Sequence, residues 1–353
     1  MLNKDFIPHS RPTIRQEELK KTLTCMVSDY IGPGKMVEDF ERSLATYLGA
    51  PYTVAVSSGT MAFFLILKLL DIKPGDEIIL PSYAPKILLN PLYYLKANPV
   101  LLDINPEDYS PSHSHLEQKI TPRTKAILVI HLFGNPVDVS SYKQYGLPVI
   151  ENAAQALGGR FEGRPCGTLG DYSFFSFYAS KMISTGGMGG AITSQEQADQ
   201  ERLGKLIHQK DTTDFAVYYP FFMSDLQASM GLTQLSQLDS FIEYRQKIAS
   251  FYQERLLEAK KEPAPLFENH KQTFFRYIFK SNRLDAEEAL TLFHNYHIEA
   301  KRPIVIPLHR YLKLPPQEFP HTEMAYRENI SLPIYPTLKK IEAEKIIKIA
   351  TRI

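Results

Sequence analysis

Residues 167–192 read GTLGDYSFFSFYASKMISTGGMGGAI, and this stretch decides the fold. The apolar run Phe174–Phe177 predicts a buried strand, and it is followed by Lys181 and then by the glycine-rich turn 186–190. A lysine in this setting is expected to lose hydration, which lowers its pKa and makes its amine nucleophilic toward aldehydes. Most lysines are solvated surface charges, so that alternative stays open on this stretch alone. The glycines do not form a GxGxxG pattern, which gives a nicotinamide-binding Rossmann fold little support.

Elsewhere in the chain, short apolar runs alternate with helical patterns. This alternation predicts an α/β fold with a mostly parallel, helix-covered sheet. After Pro263-Ala264-Pro265 the pattern changes, and we predict a large domain over residues 1–240 and a smaller C-terminal α+β domain over 241–353. The predicted strands are 52–56, 77–80, 99–102, 126–130, 148–150, 174–177, 191–193 and 274–279, and the predicted helices are 15–29, 36–48, 60–70, 86–96, 224–259, 285–296 and 338–350.

Composition argues against several classes of function. The 353 residues are 44% hydrophobic and 22% charged, as in ordinary soluble globular proteins, and the net charge of +1 does not favour nucleic-acid or membrane-surface binding. The distant Cys25 and Cys166 suggest neither a metal site nor a disulfide framework, and they fit a reducing, cytoplasmic setting. The N-terminus lacks the apolar core of a signal peptide, and the apolar stretch Met61–Leu70 is too short to span a bilayer.

Two polar segments follow predicted strands. Ser57-Ser58-Gly59-Thr60 lies between a strand and a helix, where free backbone N–H groups and the helix dipole favour an anion such as phosphate. Residues 151–155, Glu-Asn-Ala-Ala-Gln, follow another strand, and the carboxyl ends of parallel strands border the usual ligand crevice. Each segment alone is more typical of a simple helix cap, so neither decides the function.

The segments taken together, in this order, resemble the DegT/DnrJ/EryC1/StrS family of sugar aminotransferases. The resemblance covers nearly the whole chain, and the order of many matching segments carries it rather than any single motif. The matching segments are IPHSRPTIRQEELK, GPGKMVEDFERSLATYLGAPYTVAVSSGT, KPGDEIILPSYAPKILLN, TPRTKAILVIHLFGNP, VIENAAQALGG, GTLGDYSFFSFYASKMISTGGMGGAI, MSDLQASMGLTQLSQLD and SLPIYPTL.

This resemblance implies a fold-type-I transferase dependent on pyridoxal 5′-phosphate (PLP), acting in the cytoplasm as a homodimer. The implied reaction moves an amino group, typically from glutamate, to a keto group on a nucleotide-linked sugar. Lys181 resembles the family's Schiff-base lysine, which also carries a proton between the amino donor and the cofactor. The implied partners are therefore small molecules and a second copy of the chain, with no nucleic acid and no membrane.

The resemblance also implies a cofactor-binding set around Lys181. Ser58, Gly59 and Thr60 match the phosphate-binding turn, and Ser176 matches a serine that contacts the same phosphate. Gln155 matches the residue that approaches the oxygen on the cofactor ring.

Four positions depart from the family pattern. Asn152 replaces an aspartate that keeps the pyridine nitrogen protonated. Exchanging a charge-assisted for a neutral hydrogen bond, at a loss of about 1.4 kcal/mol, lowers the nitrogen's pKa by about one unit. Pro85 replaces an aromatic residue that stacks on the ring, and Tyr83 is the candidate substitute. The segment Pro220-Phe221-Phe222-Met223 lacks the Asn and Arg of the family, and Met188 replaces an acidic residue.

These departures leave two alternatives beside transamination: a PLP enzyme with altered chemistry, such as sugar dehydration, and a non-catalytic binding protein of the same fold. Four other residues have a possible role at the site. His131 either lines the pocket or is structural, and Lys301, Arg302 and His309 either meet an anionic substrate or are unrelated to it.

Overall fold

The computed structural model describes residues 6–208, 216–266, 270–281 and 283–353. Its strands are β1 (Tyr52–Val56), β2 (Glu77–Pro81), β3 (Asn98–Leu102), β4 (Thr124–Ile130), β5 (Val149–Asn152), β6 (Arg160–Phe161), β7 (Arg164–Pro165), β8 (Tyr172–Ser176), β9 (Gly190–Ser194), β10 (His270–Lys271), β11 (Tyr277–Lys280) and β12 (Asn329–Leu332). Its helices are α1 (Gln16–Met26), α2 (Lys35–Leu48), α3 (Gly59–Leu69), α4 (Leu89–Tyr94), α5 (His113–Lys119), α6 (Gln197–Ile207), α7 (Asp225–Ser236), α8 (Leu238–Glu258), α9 (Ala286–Asn295), α10 (Leu308–Tyr311), α11 (Pro320–Glu328) and α12 (Lys340–Ala350).

A seven-stranded sheet in the order β1-β9-β8-β5-β4-β2-β3 forms the centre of the fold. The neighbouring pairs β3–β2, β2–β4, β4–β5 and β5–β8 are parallel, whereas β9 is antiparallel to both β8 and β1. The predicted mostly parallel sheet is therefore confirmed. Because β1, β5 and β8 run in one direction, their carboxyl ends lie at one edge of the sheet, and the segments that follow them meet there.

Helix α3 packs against β8 and β9 and is buried almost all round. Its side chains are nearly all apolar, and the Phe63 ring stacks on Phe174 with 5.3 Å between the ring centroids. The Ser58 hydroxyl caps the helix by accepting a hydrogen bond from the Met61 amide at 3.2 Å. This packing fixes the first turn of α3 at the carboxyl edge of the sheet.

A second apolar core lies toward the C-terminus, where β11 and β12 form an antiparallel pair. It contains side chains from α8, α9 and α12, together with Ile7 from the start of the described chain. Helix α8 continues across the predicted boundary at 240/241, and its first turns pack in a different cluster, with Leu238 and Ile242. The division into domains 1–240 and 241–353 stays a prediction.

Several predicted elements need correction. The predicted helix 224–259 is two helices, α7 and α8, which meet at Gln237. The Gln237 side chain donates to the buried carboxylate of Glu18 at 2.9 Å, a contact with α1 that no local pattern signals. The predicted strand 274–279 begins only at Tyr277, and the predicted helix 86–96 is a 3-10 turn followed by the short α4. The elements that we did not predict are α5, α6, α10, α11, β6, β7, β10 and β12.

Among the described helices, none combines the length and the apolar character needed to cross a membrane.

Candidate active site

A cavity of about 330 Å³ opens at the carboxyl edge of the sheet. Its volume lies within the range of small-molecule sites. Seven of the eight predicted site residues line it, and only Tyr83 does not. The lining residues are Ser58, Gly59, Thr60, Pro85, Ile87, Leu88, Asn152, Ala154, Gln155, Phe174, Ser176, Tyr178, Lys181, Met188 and Gly189.

Lys181 follows β8, and its backbone N–H donates to the carbonyl of Tyr178 at 2.8 Å. Its Nζ atom lies 5.0 Å from the centre of the Phe275 ring. Burial and the neighbouring Arg276 guanidinium lower the pKa of the Lys181 amine to about 8. Since a pKa near 8 leaves a useful fraction of neutral amine at pH 7–8, Lys181 is a competent nucleophile there.

The first turn of α3 forms a cradle lined with small residues. A Cβ atom added at Gly59 would lie 2.8 Å from the Cβ of Ser176, so the helix can approach β8 only with glycine there. A Cβ at Gly190, the residue of β9 opposite Ser176, would lie 2.5 Å from the carbonyl carbon of Ser58. The cradle brings backbone N–H groups and the hydroxyls of Thr60 and Ser176 to one wall of the cavity, a donor set suited to an anion.

Gln155 and Asn152 are each oriented by a hydrogen bond to the backbone. Oε1 of Gln155 accepts from the N–H of Phe133 at 2.7 Å, and Oδ1 of Asn152 accepts from the N–H of Ala154 at 3.1 Å. Because backbone amides only donate, the oxygen must be the bonded atom in both cases. Both side chains line the cavity, so their N–H₂ groups are the donors left for a ligand.

Glu151, next to Asn152, lies on the other side of β5 and is fully buried. Its carboxylate accepts from the Nε2–H of His131 at 2.7 Å, from the hydroxyl of Ser173 and from three backbone amides between residues 167 and 170. Burial raises the pKa of the Glu151 carboxyl, but the hydrogen bonds from His131 and the backbone outweigh burial, so the pKa lies below its ordinary value. Nδ1 of His131 accepts from the Val137 amide. Of the two roles considered for His131, the structure therefore supports the structural one.

The structure does not bring Tyr83 to the cavity. Its ring is completely buried against Tyr109 and Phe133, with centroids 5.9 and 6.1 Å away, and its hydroxyl donates to the carbonyl of Ala325. Tyr83 does not line the cavity, so it does not fit the predicted stacking role. Pro85 lines the cavity instead, with Ile87 and Leu88, so this wall is aliphatic.

The other departures and basic residues are placed as follows. Met188 lines the cavity and is half exposed, whereas the segment at 220–223 runs beside β1, where the Phe221 carbonyl accepts from the Ser57 amide at 2.7 Å. His309 is fully buried between Ser82 and Glu323, 2.7 Å from each. Lys301 pairs with Glu299 and Arg302 with Glu287, and none of these three basic residues lines the cavity.

Sequence reasoning missed two neighbours of Lys181. The Phe275 ring lies 5.0 Å from the lysine amine and 5.5 Å from the guanidinium carbon of Arg276. Both residues fall in the apolar run that we predicted as a strand, and an arginine inside such a run is a signal that could have been followed.

Known proteins resemble this chain over nearly its whole length. The model of the DegT/DnrJ/EryC1/StrS aminotransferase family matches residues 12–351. The chain belongs to this family.

Relatives match over nearly their full length. GDP-perosamine synthase of Escherichia coli O157:H7 is 31% identical, with 99% of this chain and 98% of the relative covered. The dTDP-3-amino-3,6-dideoxy-alpha-D-galactopyranose transaminase of Aneurinibacillus thermoaerophilus is 32% identical, with 96% and 95% covered. The solved PMP form of Spr1654 from Streptococcus pneumoniae superposes with a TM-score of 0.89 at 25% identity, covering 98% and 97% of the two chains, and the same protein is solved in a PLP form. The predicted family and fold type I are confirmed.

The residues present fit PLP. The cradle of Gly59, Thr60 and Ser176 suits its phosphate, and the weakly basic amine of Lys181 suits its aldehyde. The N–H₂ groups of Asn152 and Gln155 suit the nitrogen and the oxygen of its ring.

We expect Gly59→Ala to weaken PLP binding at least tenfold, because the added Cβ would displace Ser176 from the cradle. Fluorescence titration with PLP measures the Kd. Gly204→Ala is the matched control, since a Cβ there meets nothing within 4 Å. An unchanged Kd for Gly59→Ala would show that the cradle does not hold the phosphate.

We expect the rate at which PLP attaches to Lys181, followed by borohydride trapping and mass spectrometry, to rise with pH and level off above about pH 8. The neutral amine is the nucleophile, and it accumulates as pH rises through the pKa. Arg276→Gln removes a neighbouring cation and should shift the midpoint to higher pH, whereas the exposed Arg327→Gln should not. A wild-type midpoint near that of a free lysine would contradict the lowered pKa.

Proposed function

We propose that this family member is a PLP-dependent aminotransferase that moves an amino group from an amino acid, glutamate, to the keto group of a nucleotide-linked sugar. One observation carries the proposal: the amine of Lys181 has a lowered pKa and faces the same cavity as an anion cradle. An aldehyde and a phosphate are the two groups that such a pair binds together.

When bound, PLP supplies the electron-accepting ring on which the amino group is carried. The protein's own residues bind and orient. The backbone N–H groups at Gly59 and Thr60 and the hydroxyl of Ser176 hold the phosphate. The Nζ atom of Lys181, once displaced by the amino donor, would take the proton from the donor's α-carbon and deliver it two bonds away, to the carbon of the cofactor's aldehyde group.

The cavity walls suit this proton transfer. Pro85, Ile87, Leu88 and Phe174 are apolar and line the same cavity as the polar residues. They reduce the water around the Lys181 amine, and this keeps its pKa low and protects the reacting carbon from competing protonation.

The substrate class is supported by the relatives rather than by the cavity alone. The names of the two curated relatives refer to a GDP-linked and a dTDP-linked amino sugar. We therefore propose a nucleotide-linked keto sugar as the amino acceptor. The buried free thiols of Cys25 and Cys166 suit the reducing cytoplasm, where we place this reaction.

Purified protein loaded with PLP should convert its cofactor to the PMP form on addition of L-glutamate and release one equivalent of 2-oxoglutarate. Absorbance and an enzymatic assay for 2-oxoglutarate measure the two products. Lys181→Ala should slow the conversion by at least 10³-fold, because it removes the proton carrier. The exposed Lys73→Ala is the control and should react like the wild type.

Failure of every common amino donor to convert the cofactor would rule out transamination and favour the PLP enzyme of altered chemistry. A protein in which PLP leaves no borohydride-trapped adduct on Lys181 would instead be the non-catalytic binding protein.

We also propose that the chain acts as a homodimer. Its support is an apolar face on α1 and the loop after it, where Leu19, Leu23, Met26, Val27 and Tyr30 are all more than half exposed. Single exposed apolar side chains are ordinary, but a contiguous set of this size is typical of a protein interface. A second copy of the chain is the partner that fold-type-I architecture suggests.

We expect sedimentation velocity to give a dimer for the wild-type chain and a larger monomer fraction for Leu23→Glu, which places a charge in the apolar face. Leu257→Glu is the matched control, since Leu257 is similarly exposed, on α8. A wild-type monomer at micromolar concentration would refute the homodimer.

A further inference from the structure

The amide of Asn152 is oriented by a hydrogen bond from the backbone. Its Oδ1 atom accepts from the N–H of Ala154 at 3.1 Å. The same planar amide therefore presents its N–H₂ group as the remaining contact for a ligand. An aspartate in this place would offer only acceptors.

The described lining of the cavity contains no carboxylate and no histidine. Glu151 is adjacent in sequence, but alternation along β5 turns it to the other face, where five donors satisfy it. No acid is thus placed to share a proton with a ring nitrogen bound at Asn152.

The charged residues near Lys181 are also basic. Arg276 lies close enough to lower the pKa of Lys181, and the buried Arg245 donates to the carbonyls of Phe274, Phe275 and Ile334. Within the described part of the chain, neither arginine forms an ion pair with an acidic side chain. Neither arginine therefore brings an acidic group to the cavity.

We propose that Asn152 donates a hydrogen bond to the pyridine nitrogen of PLP and holds that nitrogen unprotonated in the resting protein. This inference rests on the proposed cofactor role. In PLP the nitrogen stands para to the carbon that bears the aldehyde, so a residue bonded to the nitrogen and a lysine bonded at the aldehyde lie on opposite sides of the ring. Only an unprotonated nitrogen can accept from an amide, whereas a protonated one needs an acceptor such as aspartate.

An unprotonated ring accepts electrons less readily than a protonated one. Asn152 therefore tunes the ring by the polarity of one hydrogen bond. The expected consequence is a slower removal of the donor's α-proton than a carboxylate at this position would give, while PLP itself stays firmly held.

The test is ¹⁵N NMR of PLP labelled at the ring nitrogen and bound to the full chain, across pH 6–9. In the wild type we expect the downfield resonance of an unprotonated pyridine throughout. Asn152→Asp should move the resonance upfield to the position of a protonated pyridine and speed the reaction with glutamate by about tenfold. Asn152→Ala should keep the downfield resonance and weaken PLP binding several-fold, because it removes the donor.

Asn105→Asp is the matched control. The oxygen of Asn105 also accepts from the backbone N–H two residues later, at 3.0 Å, but this residue does not line the cavity. This variant should reproduce the wild-type spectrum and rate.

A protonated nitrogen in the wild type would overturn the inference and leave the proposed aminotransferase function standing. A resonance that Asn152→Asp does not move would overturn it equally. Absence of the glutamate reaction together with an unprotonated nitrogen would instead refute the aminotransferase function and uphold the role of Asn152.

Discussion

The close approach of three backbone segments at Gly190 is the constraint on which the site depends. Gly190 pairs with Val56 of β1 on one side and with Ser176 of β8 on the other. A Cβ there would lie 2.5 Å from the carbonyl carbon of Ser58, so only glycine lets the β1–α3 junction settle against β9. This contact sets the first turn of α3 beside Ser176, and it brings an anion cradle and Lys181 into one cavity. The cradle and the lysine each act only on atoms in direct contact with them. They can bind one ligand together only if this junction is tightly packed.

Much of the fold was predictable because it follows from local pattern. The buried strands are apolar runs of the right length, and the turn at Ser58 carries its own cap. The unpredicted part depends on tertiary contacts. Nothing in the sequence around Gln237 marks a break, since its partner Glu18 is more than two hundred residues away. Tyr83 follows a strand as the site residues do, but its direction is set by packing against Tyr109 and Phe133, which sequence order does not reveal.

Two adjacent residues at the end of β5 have different roles: Glu151 stabilises the fold, and Asn152 lines the cavity. Glu151 faces the interior, where His131, Ser173 and the 167–170 loop satisfy every oxygen lone pair of its carboxylate. Removing one partner of such a buried charge is costly, so Glu151 ties this loop to the sheet. Asn152 faces the cavity and is neutral. In the sequence both are polar residues at the end of a strand. Their roles differ because successive side chains of a strand point to opposite faces of the sheet.

The charge balance of the site gives a reason why an anionic cofactor belongs in it. Lys181, Arg276 and Arg245 place positive charge in a region whose described cavity wall contains no carboxylate. Buried charges without counter-ions are unfavourable, and the phosphate of PLP, at the cradle beside Ser176, offsets part of that charge. Attachment of PLP to Lys181 also replaces a free amine by a bonded one. The protein is therefore expected to be more stable with PLP than without it, since a ligand that binds only the folded chain shifts the folding equilibrium toward that chain. The positive charge around Lys181 therefore favours both the binding of the phosphate and the stability of the loaded protein.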